Sequence, residues 1–175
     1  MRVELLMQQA ERIGLPLHLI EISSPCSNRE YEQAMTAFTE KATWLDTDCF
    51  AFGDLFLEDI RQYRITQLVG TGIAPVFPIW GLATDNLSHT MINQGLKAVI
   101  TCIDPAQLPA EFAGRTFDAV FLAELPDNVD PCGENGEFHS FVYDAPDFRT
   151  PIDIAVGEIV TRDGFVFADI TGVSG

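Results

Sequence analysis

Apolar positions follow two different periods along this chain, and the change of period divides it. Val3, Leu6, Met7, Ala10 and Ile13 fall three and four apart, the spacing of one helix face, and Gly14 is placed to stop that helix. Residues 17–22 then read as a strand. Ser27 and Glu30 have the spacing of a capping box and open a second helix to about Ala42, with Tyr31, Ala34, Met35 and Phe38 on its apolar face. Residues 49–52 predict a short buried strand closed by Gly53-Asp54, with a polar helix following at once to about Tyr63. Residues 74–80 are apolar but hold Pro75 and Pro78, which predicts an extended loop or an edge strand.

Beyond residue 82 the pattern shortens. Thr84 predicts the cap of a helix to Gln94, and Lys97–Ile103 a strong strand. Residues 105–114 read as a short helix or loop, residues 119–122 as a strand, and residues 138–143 as another. The last segment, residues 158–169, predicts a hairpin turning at Asp163-Gly164. Strand and helix alternate in the first half and strands dominate the second. The expected fold class is therefore an α/β domain over residues 1–82 followed by an α+β domain over residues 83–175.

Composition narrows the function classes. A hydrophobic content of 47% with 10% aromatics in 175 residues excludes a disordered chain. A formal net charge of −16 repels phosphate backbones, so nucleic acid is not an expected partner. No apolar run approaches bilayer length and the N-terminus lacks a signal-peptide pattern, so no membrane partner is expected and the reading is cytoplasmic. The four cysteines, Cys26, Cys49, Cys102 and Cys132, form no Cys-x-x-Cys pair and give no zinc signal. Cys49 and Cys102 lie in apolar runs and read as buried small hydrophobes, while Cys26 and Cys132 follow prolines in polar loops and read as structural.

The densest chemistry lies in residues 130–141, Asp-Pro-Cys-Gly-Glu-Asn-Gly-Glu-Phe-His-Ser-Phe. Glu134 and Glu137 stand three apart beside Gly133 and Gly136, with Asn135 and His139 close by. Glycines permit tight turns or close backbone approach to a ligand, and polar groups on a loop between strands commonly build a site. Glu134, Asn135, Glu137 and His139 are the candidate catalytic residues; the bland alternative is a turn with solvated glutamates. A second candidate is Gly53-Asp54 at the end of a predicted strand, where ligands bind in open α/β sheets and where Asp54 could equally cap a helix. Gly53, Asp54, Gly133 and Gly136 are the candidate ligand-binding positions. His18 and His89 read as structural or solvated.

Taken in order, several segments resemble the diphthamide synthetase family of PP-loop ATP pyrophosphatases. They are Gln9-Ala10 with Gly14-Leu15-Pro16-Leu17, Pro25-Cys26-Ser27-Asn28 with Tyr31-Glu32, and Phe52-Gly53-Asp54 with Glu58-Asp59-Ile60-Arg61. Pro78-Ile79-Trp80-Gly81, Gly114-Arg115 with Phe117-Asp118, and the 130–139 motif continue the match, the last in a form similar to the bacterial branch. The resemblance implies an HUP-type Rossmann-like parallel sheet followed by a family-specific domain. It implies an ATP-dependent ligase that activates a carboxylate as an acyl-adenylate and lets ammonia displace AMP, with Mg2+ as metal. Gly53 and Asp54 would then lie at the nucleotide, and residues 134–137 would face the acceptor, binding ammonium, deprotonating it or holding magnesium. The acceptor would be a small-molecule or protein carboxylate, and a homodimer is admitted.

The chain departs from the family in one respect. The family's Ser-Gly-Gly-Lys-Asp-Ser phosphate loop, with the first strand, precedes its Gln-Ala helix, and these 175 residues contain no such loop. The expectation is an N-terminally truncated sequence with weak or absent ATP turnover. The alternative is a non-catalytic nucleotide- or metabolite-binding module.

Overall fold

The computed structural model describes residues 2–22, 26–44 and 47–173; Pro25 of the resemblance lies outside them. The chain divides into two compact units, His18–Leu82 and the pair of segments Met1–Leu17 and Ala83–Gly175. The architecture is mixed α/β, with a small parallel sheet in the first unit and a four-stranded antiparallel sheet in the second.

In the smaller unit the capping box forms. The Ser27 hydroxyl and amide both donate to the Glu30 carboxylate, at 2.6 and 2.8 Å, and hold its pKa below the usual carboxylate value. The helix it opens, α2, runs Asn28–Trp44 (α1 is Val3–Ile13 in the larger unit). Strand β1, Cys49–Ala51, pairs in parallel with β2, Ala74–Val76, in the register Cys49 to Ala74. Pro75 is tolerated because, among the described residues, β2 has a strand neighbour on one side only. Helix α3, Glu58–Gln67, lies between them in sequence. A small core of Ala42, Leu68 and Ile73 takes in Phe50 and Phe52, and ring contacts run on from Phe52 to Phe77 and from Phe77 to Trp80.

The larger unit is built on the sheet order β4-β3-β6-β5, with β3 at Lys97–Ile103, β4 at Phe138–Asp144, β5 at Ile154–Arg162 and β6 at Phe165–Gly172. Strand β3 is buried along most of its length, which is why Ala98, Val99, Ile100, Cys102 and Ile103 are all apolar. In β6 burial alternates, with Val166, Ala168 and Ile170 inward. The β5–β6 turn is the expected one: Asp163 and Gly164 both have positive φ, 53° and 85°, the type I′ geometry that suits a two-residue hairpin. Helix α1 packs here too. Leu5 is 1% exposed within the core, the Gln9 side chain donates to the Val142 carbonyl at 2.6 Å, and Arg2 grips Asp169 in a fork at 2.8 to 3.1 Å. That fork raises the Arg2 pKa and lowers that of Asp169.

Four expectations require correction. Residues 17–22 form no strand, and Leu17, Leu19 and Ile22 are exposed. Residues 119–122 belong to a helix, α5 at Ala119–Glu124, not a strand. The cause is Asp118, whose carboxylate accepts from the amides of Val120 and Phe121 at 3.0 and 2.8 Å and so caps a helix, after which Phe121 is fully buried and Val120 is exposed. Thr84 does not cap α4, Thr84–Asn93; it is the first helical residue and Ala83 occupies the cap position. Cys49 is exposed, while Cys102 is buried as expected. Asp118→Ala is expected to cost about 1 kcal/mol of stability, the usual worth of an N-cap carboxylate, in denaturant unfolding, whereas Asp118→Asn should cost less than half of that. Equal losses in the two variants would remove capping as the explanation.

Candidate functional site

Proline after Asp130 keeps the backbone there out of helical conformation, and the Asp130 side chain then organises the turn. Its Oδ1 accepts from the amides of Cys132 at 2.8 Å and Glu134 at 3.3 Å, while its carbonyl accepts from the Gly133 amide at 2.9 Å. Gly133 and Gly136 take positive φ, 72° and 83°, and the Gly136 amide closes a further turn onto the Gly133 carbonyl at 3.1 Å. The loop leads directly into β4 at Phe138.

Glu137 lies at the centre of this loop and is 1% exposed. Its Oε1 accepts from the Asp130 amide at 2.9 Å and from the Asn135 side-chain nitrogen at 3.0 Å; its Oε2 accepts from the Asn135 amide at 3.0 Å. Its own carbonyl accepts from the Asp104 amide at 2.9 Å, which ties the loop to the end of β3. A carboxylate buried among three donors is the form in which burial of charge is tolerated. Glu134, Asn135, Glu137 and His139 are thus gathered in one loop and the start of one strand. Glu137 faces inward, His139 is exposed on β4 beside Cys102, and the His139 carbonyl accepts from the Thr101 hydroxyl at 3.2 Å.

Beside the loop a cavity of about 1010 Å³ runs over the sheet. Gly133, Cys132, His139, Thr101 and Ser140 line it on the loop side, and Glu158, Arg162, Phe165 and Phe167 on the hairpin side. Arg162 lies over the Phe167 ring at 4.9 Å. Cys132 is half-buried here, with its thiol 3.4 Å from the Thr84 carbonyl. Burial first, and then the nearby Asp130 and Glu134 carboxylates, push its pKa up to about 11. A thiol raised to about 11 holds little thiolate at pH 8, and Cys132 is half-buried besides, so it is expected to alkylate several-fold more slowly than the exposed Cys26 and Cys49. Peptide mass mapping of iodoacetamide labelling over time reads this, and equal rates would contradict it.

In the smaller unit Gly53 is exposed at the end of β1, and a Cβ added there would meet nothing within 4 Å. Asp54 does not cap a helix: α3 begins only at Glu58, after Leu57. Asp54 instead faces Arg64, with Oδ2 3.8 Å from Nε, and Arg64 lies over the Phe52 ring at 5.1 Å. Arg61 lies over Trp80 at 4.5 Å and Phe77 at 5.3 Å. These two arginines, and Asp130 in the loop, are the polar organisers that the sequence reading did not assign. The Asp-Pro step was the available signal for Asp130, and Arg61 and Arg64 sit three apart on α3. A separate cavity of about 290 Å³ in this unit is lined by Tyr31, Thr39, Phe50, Phe52, Tyr63 and Arg64 among others. Among the described residues no group of three or more His, Cys, Asp or Glu side chains is placed to hold a metal ion, and no helix is long and apolar enough to cross a membrane.

An antiparallel sheet headed by a glycine-flanked acidic loop, in a chain that also carries a small parallel α/β unit, defines a mixed α/β protein with its densest chemistry in the β-rich part. The chain belongs to the diphthamide synthase C-terminal domain family, whose model matches residues 83–172 and so contains the whole loop. It is similar to the diphthine–ammonia ligases of cattle and human, at 28% identity over 120 residues, covering 65% of this chain and 45% of theirs. The diphthine–ammonia ligase of zebrafish is also 28% identical, over 177 residues, covering 92% of this chain and 69% of that protein. The chain therefore spans about half the length of the mammalian relatives it matches.

Proposed function

We propose that this protein acts in ATP-dependent amide formation between a carboxylate acceptor and ammonia, with activation of the carboxylate as an acyl-adenylate and release of AMP and pyrophosphate. The observation that carries the reading is the 130–139 loop, which lies within the matched family segment. In this reading Glu134 and His139 act at the acceptor and the incoming ammonia, a carboxylate and an imidazole being suited to bind ammonium and take up its proton. Glu137 and Asn135 hold the loop in shape. The His18–Leu82 unit is proposed to be the HUP-type nucleotide unit, with Gly53 and Asp54 at the nucleotide. With single carboxylates rather than a cage, magnesium would be carried on the phosphates of ATP, as this ion usually is, and would neutralise their charge. The part that acts on the acceptor is proposed to start at residue 83 and to be completed by helix α1, and a cytoplasmic setting is our proposed location. The acceptor is proposed to be a small or protein-borne carboxylate.

A second reading, a nucleotide- or metabolite-binding module without turnover, is favoured by the lack of a Gly-rich phosphate loop in these 175 residues. One experiment separates the two. The protein is supplied with ATP, Mg2+, 15N-ammonium and a panel of small carboxylic acids; pyrophosphate release and 15N incorporation into amide are measured. Acceptor-dependent release with 15N amide is the expected result. Saturable ATP binding without either product would replace the first reading with the second, and neither binding nor turnover would overturn both.

A further inference from the structure

Strand β5, Ile154–Arg162, forms the outer edge of the four-stranded sheet and is exposed from Ala155 onward. Val156, Ile159 and Val160 are 48%, 49% and 42% exposed along it. An edge this long, without proline or lysine, is a template for another strand. The hairpin fixes which backbone groups it offers. In a two-residue type I′ hairpin the flanking residues, Arg162 and Phe165, exchange hydrogen bonds with each other, and so, two steps on, do Val160 and Phe167. The alternate residues, Thr161 and Ile159, therefore turn their N–H and C=O groups outward. Glu158, Val160 and Arg162 alternate along the strand and so share one face, and all three line the large cavity.

We infer that β5 pairs antiparallel with β5 of a second copy of this chain, about a two-fold axis through Val160. In that register Glu158 stands opposite Arg162 of the second copy, and the same pair recurs on the other side of the axis. Ile159 stands opposite Thr161 of the second copy, so the outward-facing backbone groups meet and each such pair exchanges two hydrogen bonds. Other registers lose this match. Centring on Glu158 sets two glutamates against each other, and centring on Ile159 or Thr161 sets both charges against uncharged residues. A net charge of −16 on each chain opposes association at long range, so a local opposite-charge pairing is what selects this edge and this register. The two four-stranded sheets become one continuous sheet, and the two cavities come to lie on the same face of it.

The test is a charge exchange read by light scattering after gel filtration. The unaltered chain is expected to be a dimer. Glu158→Arg and Arg162→Glu should each be monomeric, since each brings like charges together at both pairs. An equimolar mixture of the two variants should return to the dimer mass, because every facing pair is again opposite in sign. Circular dichroism identifies a variant that fails to fold. As a check that needs no charge reversal, Val160→Cys should cross-link to its own copy under mild oxidation, since residues directly opposite at a non-hydrogen-bonded position lie within disulfide range. A monomeric parent chain, single variants that stay dimeric, a mixture of folded variants that stays monomeric, or a Val160→Cys protein that forms no 160–160 link would each overturn the inference.

Discussion

Glu137→Ala is expected to destabilise the larger unit by about 3 to 4 kcal/mol, the largest effect of any single side-chain truncation in the loop. The substitution removes the acceptor for three donors, the Asp130 amide, the Asn135 amide and the Asn135 side chain, at a position 1% exposed. Each hydrogen bond to a charged acceptor contributes about 1.5 to 3 kcal/mol, and water entering the vacated space recovers part of the sum. Glu137→Gln should fall between, because its amide nitrogen presents a donor to groups that are themselves donors. Glu134→Ala, whose side chain is not the centre of the loop, should change stability by less than about 1 kcal/mol. Denaturant unfolding followed by far-ultraviolet dichroism, with hydrogen exchange at the β3 and β4 amides, separates these cases. A loss below about 1 kcal/mol for Glu137→Ala would show that the buried carboxylate does not hold the loop.

Gly133→Ala should cost about 3 kcal/mol and Gly136→Ala about 1 kcal/mol, although both glycines have nearly the same backbone conformation. Their φ values are 72° and 83°, so each alanine meets the left-handed penalty of about 1 kcal/mol. The difference is what the new methyl group encounters. At Gly133 it would lie 2.8 Å from the Phe138 carbonyl oxygen and 3.2 Å from the Phe138 ring, and a backbone oxygen cannot move aside without shifting β4. At Gly136 nothing lies within 4 Å. Melting temperatures of the two variants measured side by side decide the matter; equal losses would mean that conformation alone, and not the close approach to β4, demands glycine at 133.

What the sequence made legible is local. Ser27 with Glu30, and Asp163-Gly164 between two apolar runs, each place their chemistry within a few residues, and both form as expected. The Lys97–Ile103 run is legible because five of its seven residues, Ala98, Val99, Ile100, Cys102 and Ile103, are buried and apolar. Residues 119–122 misled for a physical reason: a run of four apolar residues suits a buried strand or one turn of a buried helix equally well. Asp118 decides between them, through two amides it could only be known to reach once the chain had turned. Residues 17–22 have the composition of a strand, but a strand needs a neighbour, and none of the described strands pairs with this segment. In the loop the residue types were legible and their directions were not. Nothing in Glu-Asn-Gly-Glu states that the second glutamate turns inward to bind its own loop.

Helix α1 has a practical consequence for dissecting this protein. The compact unit that carries the loop is discontinuous in sequence, with the His18–Leu82 unit inserted between its first helix and the rest. A fragment cut to the matched segment, residues 83–172, would keep every loop residue and yet lack Leu5 from the core and the Gln9 bond to Val142. Such a fragment would expose the apolar surface that α1 covers. The sounder excision removes residues 18–82 from the middle and joins the two remaining ends with a flexible linker, so that the helix at the beginning of the chain stays with the sheet at its end.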